Sequence, residues 1–151
     1  MGVEESILSK SDELKSLEAY WRSKMIGDAL PVWRDIDPWE MRNFLAHVFL
    51  IEITQNPLRF WFRLVGREVA QGYGEDMTGR YVDEIDLNDV QQDILDAYKL
   101  AVREARPVRS VCDYVKQDGR RLYYERLLLP LSADGKTIDM LLAGAVVLKA
   151  E

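Results

Sequence analysis

The last third of the chain carries the pattern that most constrains its fold. Three segments rich in leucine, β-branched and aromatic residues follow one another: VRSVCDYVKQ, RRLYYERLLLPLS and TIDMLLAGAVVLK. Asp118-Gly119 lies between the first two and Asp134-Gly135 between the last two, and an Asp-Gly pair favours a tight hairpin turn. Because turns this short join only antiparallel neighbours, the pattern predicts a three-stranded antiparallel meander.

Two further strands are predicted earlier in the chain. HVFLIEIT and RFWFRLV are rich in β-branched and aromatic residues, and Asn56-Pro57 supplies a turn between them. Side chains alternate between the two faces of a strand. The second segment therefore divides into a core face with Phe60, Phe62 and Leu64 and an opposite face with Arg59, Trp61 and Arg63.

An amphipathic helix is predicted at the N-terminus. Ser9 or Ser11 can cap it, and Gly27 can stop it. Its apolar stripe at helical spacing consists of Leu14, Leu17, Trp21 and Met25. Such a stripe needs a cover.

Two more helices follow from spacing and capping residues. Asp37, Pro38 and Glu40 form a capping arrangement, which predicts a short helix from Pro38 to about Leu45. A longer helix is predicted by an apolar residue at every fourth position and ends before Pro107. Its apolar residues are Val90, Ile94, Tyr98 and Val102.

The stretch GYGEDMTGRY has two glycines at P-loop spacing but does not predict a phosphate site. A P-loop continues with Lys and then Ser or Thr, whereas Gly79 is followed by Arg80 and Tyr81. Glu75 and Asp76 would also put negative charge where the loop's backbone amides should face phosphate. We interpret the glycines as positions where the chain changes direction.

Composition excludes several classes of function. A length of 151 residues fits one domain, and a net charge of −6 argues against a surface for nucleic acid or anionic membrane. Cys112 is the only cysteine, which favours a reducing cytoplasm. The acidic N-terminus does not resemble a signal peptide, and the longest apolar run is too short to span a bilayer.

The order of elements resembles that of a PAS domain. The resemblance extends to a bacterial PAS-like family with a leader of Tyr20-Trp21, Leu30-Pro31 and the segment DIDP at 35–38, followed by RLVGREVAQGYGEDMTGRYVDEI and RLLLPLS. It implies an α+β fold, with a five-stranded antiparallel sheet, central helices on one face and the N-terminal amphipathic helix on the other. We expect a helical leader over residues 1–46, for capping or dimerisation, and a PAS-like core over 47–151.

The resemblance also implies a cavity between the sheet and the helix that carries Tyr98. We expect this ligand-binding pocket to be lined by Phe62, Tyr81, Tyr98 and Arg126. Several phenols beside an arginine suit a small anionic or aromatic ligand. Two alternatives stay open: the tyrosines are simply core, and Arg126 pairs with an acid on a neighbouring strand.

No resident cofactor is expected. PAS domains that hold haem use a histidine on the helical side of the pocket, but His47, the only histidine, begins the first strand segment. Flavin-binding light sensors of this class use a cysteine on a short helix, whereas Cys112 belongs to a strand segment. We therefore expect no haem, no flavin, no structural metal and no catalytic site, and leave a small organic ligand open.

The functional prediction is a stand-alone sensory or adaptor module of the bacterial cytoplasm that binds a ligand, a protein partner or both. We expect a homodimer built on the N-terminal stripe and Trp61, although the helix could instead serve as an intramolecular lid. One alternative is a small enzyme with a cone-like α+β cavity, which would place a His-Asp or Tyr-Asp pair inside. Another is a structural dimer with a filled interior.

Overall fold

The fold is α+β and follows the predicted order of elements. The computed structural model describes residues 11–87, 90–116 and 118–150. Its helices and strands are α1 (Asp12–Ser23), β1 (Val48–Thr54), β2 (Arg59–Val65), α2 (Arg67–Tyr73), α3 (Gln91–Glu104), β3 (Val108–Val115), β4 (Arg121–Leu131) and β5 (Met140–Ala150). Within these ranges, no helix combines the length and the apolar character needed to cross a membrane.

All five strands form one antiparallel sheet in the order β2-β1-β5-β4-β3. The predicted meander is confirmed, because β4 pairs with β3 on one side and β5 on the other. The sheet has an inner face, covered by α2 and α3, and an outer face, covered by α1. This arrangement confirms the predicted fold class.

Strand alternation divides the apolar residues into two cores. Along β4, Leu128 belongs to the inner core while Leu127 and Leu129 belong to the outer one. The outer core packs closely against Gly144 of β5, so that a larger residue there would require the Leu14 side chain to shift. A Cβ atom there would lie 2.5 Å from Leu14 Cδ2 on α1, which is closer than carbon atoms can pack.

Helix α1 begins as predicted but ends early. The Ser11 side chain accepts a hydrogen bond from the Leu14 backbone amide at 3.2 Å and caps the helix; Ser9 lies outside the described residues. Because α1 ends at Ser23, Met25 follows the helix rather than continuing its stripe. Met25 still packs against the outer core.

The rest of the predicted dimer stripe is used inside the chain. Leu14, Leu17 and Trp21 are at most 2% exposed, because α1 lies on the outer face of the sheet. The Trp21 indole also donates a hydrogen bond to the Pro130 carbonyl at 2.9 Å. The assignment of these three residues to a dimer interface is therefore wrong, and α1 is an intramolecular lid.

Strand β2 departs from simple alternation near its end. Phe60 and Phe62 lie in the inner core as predicted, but Leu64 packs against the outer core. The register between β1 and β2 shifts between Leu50 and Ile51. This β-bulge turns the following side chains to the opposite face, which alternation alone could not show.

The segment predicted as a helix from Pro38 to Leu45 forms two separate 3-10 turns, Pro38–Met41 and Leu45–His47. The Asp37 carboxylate caps the first turn by accepting from the Trp39 amide at 3.0 Å. We expected the Glu40 side chain to reach back to the cap, but it does not. It accepts a hydrogen bond from the Tyr20 hydroxyl at 2.6 Å and thereby ties this segment to α1.

Substitution of a buried and of an exposed tryptophan should have different effects on the free energy of unfolding. Trp21→Ala should lower the free energy of unfolding by about 3 to 5 kcal/mol, because it leaves a cavity beneath α1 and removes a hydrogen bond. Trp39 is 69% exposed, so Trp39→Ala should change it by no more than about 0.5 kcal/mol. Urea unfolding of both variants measures the difference. Equal effects would contradict the assignment of α1 to the outer core.

Candidate functional site

An apolar cavity lies between the inner face of the sheet and helices α2 and α3. Its volume is about 110 Å³. Aromatic and aliphatic side chains form most of its wall, while a few polar groups converge on it, as in sites for small molecules. The wall consists of Phe49, Phe62, Glu68, Val69, Gly72, Tyr73, Met77, Leu87, Ile94, Tyr98, Tyr114, Leu122, Tyr124, Arg126, Ala145 and Val147.

Three of the four predicted pocket residues line this cavity. Phe62, Tyr98 and Arg126 meet there from β2, α3 and β4. Tyr81 does not. The backbone at Tyr81 forms a bridge to Trp61 on the free edge of β2, and this pairing places its ring beneath the Arg59 guanidinium at 3.7 Å, so its assignment to the pocket is wrong.

A second cavity of about 230 Å³ lies on the other side of Arg126, between α3 and the strands β3 and β4. It shares Ile94, Tyr124 and Arg126 with the first cavity. Its wall is more polar and consists of Val90, Asp93, Ile94, Asp96, Ala97, Leu100, Ser110, Cys112, Asp113, Tyr124 and Arg126. Arg126 thus separates an apolar space from an acidic one.

Arg126 is 5% exposed and has few partners for its charge. One terminal amino group donates to the Ser110 hydroxyl at 3.1 Å, and its Nε has no hydrogen-bond partner. Burial opposes the charged guanidinium, but the side chains of Tyr124, Cys112 and Tyr98 leave the pKa of Arg126 raised. The group therefore remains a cation inside the protein.

The acid adjacent to Arg126 in the sequence serves a different arginine. Glu125 points to the outer face, where it lies 3.7 Å from Arg109. Arg109 also pairs with Glu18 of α1 at 2.8 Å. Among the described residues, the alternative that Arg126 pairs with an acid on a neighbouring strand is not realised, because Asp113 of β3 pairs with Arg121 instead.

Two phenols lie beside Arg126: the Tyr98 side chain is 3% exposed and the Tyr124 side chain is half-buried. Burial raises the pKa of Tyr124 to about 12 and also raises the pKa of Tyr98. Both side chains therefore stay protonated and able to donate a hydrogen bond at neutral pH. The Tyr98 ring is held edge-on against Phe60, with ring centroids 5.4 Å apart, so its position is set by the inner core.

Tyr73, Tyr114 and Tyr124 belong to the wall, although the predicted pocket left them out. The Tyr73 and Tyr114 rings lie 6.1 Å apart, and the Tyr73 hydroxyl donates to the Asp86 carbonyl at 2.9 Å. Alternation offered a signal for one of them. Tyr124 precedes Arg126 by two residues on β4, so both side chains must share a face.

The residues considered for cofactors lie away from the apolar cavity. Cys112 lines the second cavity, with its sulfur 3.5 Å from the Ser110 hydroxyl. His47 ends the turn before β1, and its Nδ1 is buried without a hydrogen-bond partner. Among the described residues, no three His, Cys, Asp or Glu side chains are grouped to hold a metal ion.

Comparison with solved structures shows the same fold in sensory proteins. A Rhodobacter sphaeroides light-oxygen-voltage (LOV) protein matches with a TM-score of 0.54 and 13% identity over 68% of this chain. The chain spans 58% of that protein. A PAS domain of a Colwellia psychrerythraea protein also matches with a TM-score of 0.54 and 13% identity, over 74% of this chain and 98% of the other. A search of curated proteins finds no match.

A third structure corrects the expectation about flavin. It describes the mechanism of a LOV domain studied with a flavin analogue, and it matches with a TM-score of 0.52 and 11% identity over 68% of this chain and 78% of the other. The prediction that flavin has no place in this chain is therefore wrong as an exclusion. The exclusion rested on the position of Cys112 on a strand. The fold of the chain, however, is one that LOV domains also have.

The lining residues limit the size of a ligand that the apolar cavity can hold. Its volume of about 110 Å³ is below the roughly 300–1,000 Å³ of sites for drug-sized ligands. In the described conformation it fits one ring rather than the three fused rings of a flavin.

The sequence comparison gives the family. A family model described as a PAS domain matches residues 9–146, which is most of the chain. The predicted order of elements, the antiparallel sheet and the cavity beneath α3 agree with it. The chain belongs to the PAS domain family.

Proposed function

We propose that this PAS domain is a sensory module that binds a small organic molecule in its apolar cavity and transmits the event by association, without catalysing a reaction. The observation that carries the proposal is the cavity itself. A largely apolar wall meets three polar groups, the buried Arg126 and Tyr98 and the half-buried Tyr124. Such a site gives a ligand both apolar contact and a fixed orientation.

Strand β4 offers a physical route from the cavity to the opposite surface. Tyr124 and Arg126 face the cavity, while Glu125 faces outward toward Arg109, which pairs with Glu18 of α1. A ligand that moves β4 would therefore change the contacts that hold α1. This coupling would alter a surface that another protein or a second copy could recognise.

The enzyme alternative receives less support from the site. Among the described residues, no histidine lines either cavity. Tyr124 shares the second cavity with Asp93 but lies beside the Cys112 thiol, and its raised pKa of about 12 makes it a poor base at neutral pH. Absence of catalysis is therefore part of our proposal.

We also retain a bacterial cytoplasmic setting without nucleic-acid or membrane partners as part of the proposal. Its support is the acidic composition and the single cysteine. Haem and a structural metal stay outside the proposal, whereas flavin belongs among the ligands to be tested.

Purification from the native host should show whether the cavity holds a ligand. We expect a native mass spectrum with a species heavier than the 17.5 kDa chain, which returns to the chain mass on denaturation. Ala145→Leu should remove this species, because residue 145 lines the cavity and is paired with Arg126 across the adjacent strands β5 and β4. An absorption spectrum of the same sample identifies a flavin.

Ala19→Leu is the matched control, since Ala19 is exposed on α1. It should keep the heavier species. Wild-type protein that shows only the mass of the bare chain would contradict ligand binding, and an Ala145→Leu variant that keeps the ligand would move the site away from the cavity.

The proposed homodimer now depends on β2 rather than on α1. Trp61 is half-buried and lies between Arg59 and Arg63, a composition common in interface hot spots. Sedimentation should show a dimer at micromolar concentration, and Trp61→Ala should weaken it by about 2 kcal/mol or more. Trp39→Ala, at an exposed tryptophan outside the sheet, should leave the dimer intact. A wild-type protein that stays monomeric would contradict the dimer.

A further inference from the structure

We infer that the cavity takes a small organic monocarboxylate, whose carboxylate binds Arg126 and whose apolar body fills the space beside Tyr98. This inference rests on the proposed function and specifies the chemical class of its ligand. Its basis is a buried cation that makes no ion pair with any described residue.

The two buried arginines of the sheet show how unusual Arg126 is. Arg109 lies on the outer face, where it makes ion pairs with Glu18 and Glu125. Arg126 is as deeply buried, yet no ion pair between described residues includes it. A buried charge without a counterion is costly to the folded state, so an anion supplied from outside would relieve a real electrostatic penalty.

Arg126 also has unused hydrogen-bonding capacity. A guanidinium carries five N–H donors, but among the described residues Arg126 donates one side-chain hydrogen bond, to the Ser110 hydroxyl at 3.1 Å. Its Nε is buried and unpartnered. A carboxylate can accept two parallel hydrogen bonds from a guanidinium, and the protonated hydroxyl of Tyr124 lies on the same wall as an additional donor.

The surrounding charges decide from which side an anion approaches. Asp93, Asp96 and Asp113 line the second cavity. Asp113 pairs with Arg121 and Asp96 accepts a hydrogen bond from Gln92, while Asp93 lies outside ion-pair distance of Arg126 but adds to its field. These carboxylates disfavour an anion in the second cavity. The apolar cavity, with Glu68 as its acidic residue, is the better approach.

The apolar cavity determines the polarity and the size of the part of the ligand that is not the carboxylate. Rings of Phe49, Phe62 and Tyr98 face the space next to Arg126. A volume of about 110 Å³ limits the apolar body of the ligand to at most one ring, since an apolar cavity of about 150 Å³ holds benzene. One buried cation balances one negative charge, which favours a monocarboxylate over a phosphate dianion. Benzoate has this charge and size and serves as a probe.

Calorimetric titration of the full chain with benzoate, benzyl alcohol and inorganic phosphate tests the inference. Benzoate should bind wild-type protein, and the other two should bind at least about ten-fold more weakly, as loss of a charge-assisted hydrogen bond implies. Arg126→Met should abolish the preference for benzoate over benzyl alcohol. Arg126→Lys retains the charge without the paired donors and should keep a reduced preference.

Arg120→Met is the matched control, because Arg120 is an exposed arginine in the turn before β4. It should bind benzoate like the wild type. Urea unfolding provides a further readout: Arg126→Met should be at least as stable as wild-type protein without ligand, because it removes an unpaired buried charge. A purely structural Arg126 would instead give a less stable variant.

The inference is overturned if benzoate shows no saturable binding at millimolar concentration, if benzyl alcohol binds equally well, or if Arg126→Met retains the preference. These failures differ from failure of the proposed function. The native mass spectrum detects a retained ligand of any charge, so a bound neutral molecule would contradict the carboxylate and still support the sensory cavity.

Discussion

Alternation of side chains along β4 is the constraint on which both halves of this molecule depend. Leu127 and Leu129 complete the outer core beneath α1, while Leu128 belongs to the inner core beneath α3. The same alternation separates Glu125 from Arg126, which lie on opposite faces although they are neighbours in the chain. One strand therefore supplies a structural ion network on one side and a buried charge in the wall of a cavity on the other.

The two buried arginines show how charge is handled on each face. On the outer face, Arg109 joins α1 to the sheet through Glu18 and Glu125, so its charge is compensated within the fold. On the inner face, the acceptor that Arg126 finds among the described residues is the Ser110 hydroxyl. The first charge therefore stabilises the attachment of α1, whereas the second lies in the wall of a cavity, where an unpaired buried cation lowers stability.

The position of α1 determines which surfaces of the domain are accessible to a partner. Its apolar stripe is covered by the sheet, so association through that stripe would require α1 to leave the outer core. The contacts that oppose this movement include the hydrogen bond from Trp21 to the Pro130 carbonyl and the bond from Tyr20 to Glu40. PAS domains commonly act through association, and in this chain the half-buried Trp61 on β2 is the more accessible surface.

The helices, the strands and much of the fold can be predicted from the amino-acid sequence. Asp-Gly pairs and alternating apolar residues specified the meander, and the order of elements identified a PAS-like sheet with Phe62, Tyr98 and Arg126 on one cavity. These features depend on local geometry, which a short segment carries with it. The packing partner of each apolar face could be seen only in the folded chain. The bulge that turned Leu64 outward, the burial of Trp21 and the displacement of Tyr81 to the β2 edge depend on pairing between distant segments. The same holds for the lack of an ion pair between Arg126 and any described residue, because a buried charge is paired or unpaired according to groups that only the folded chain brings near it.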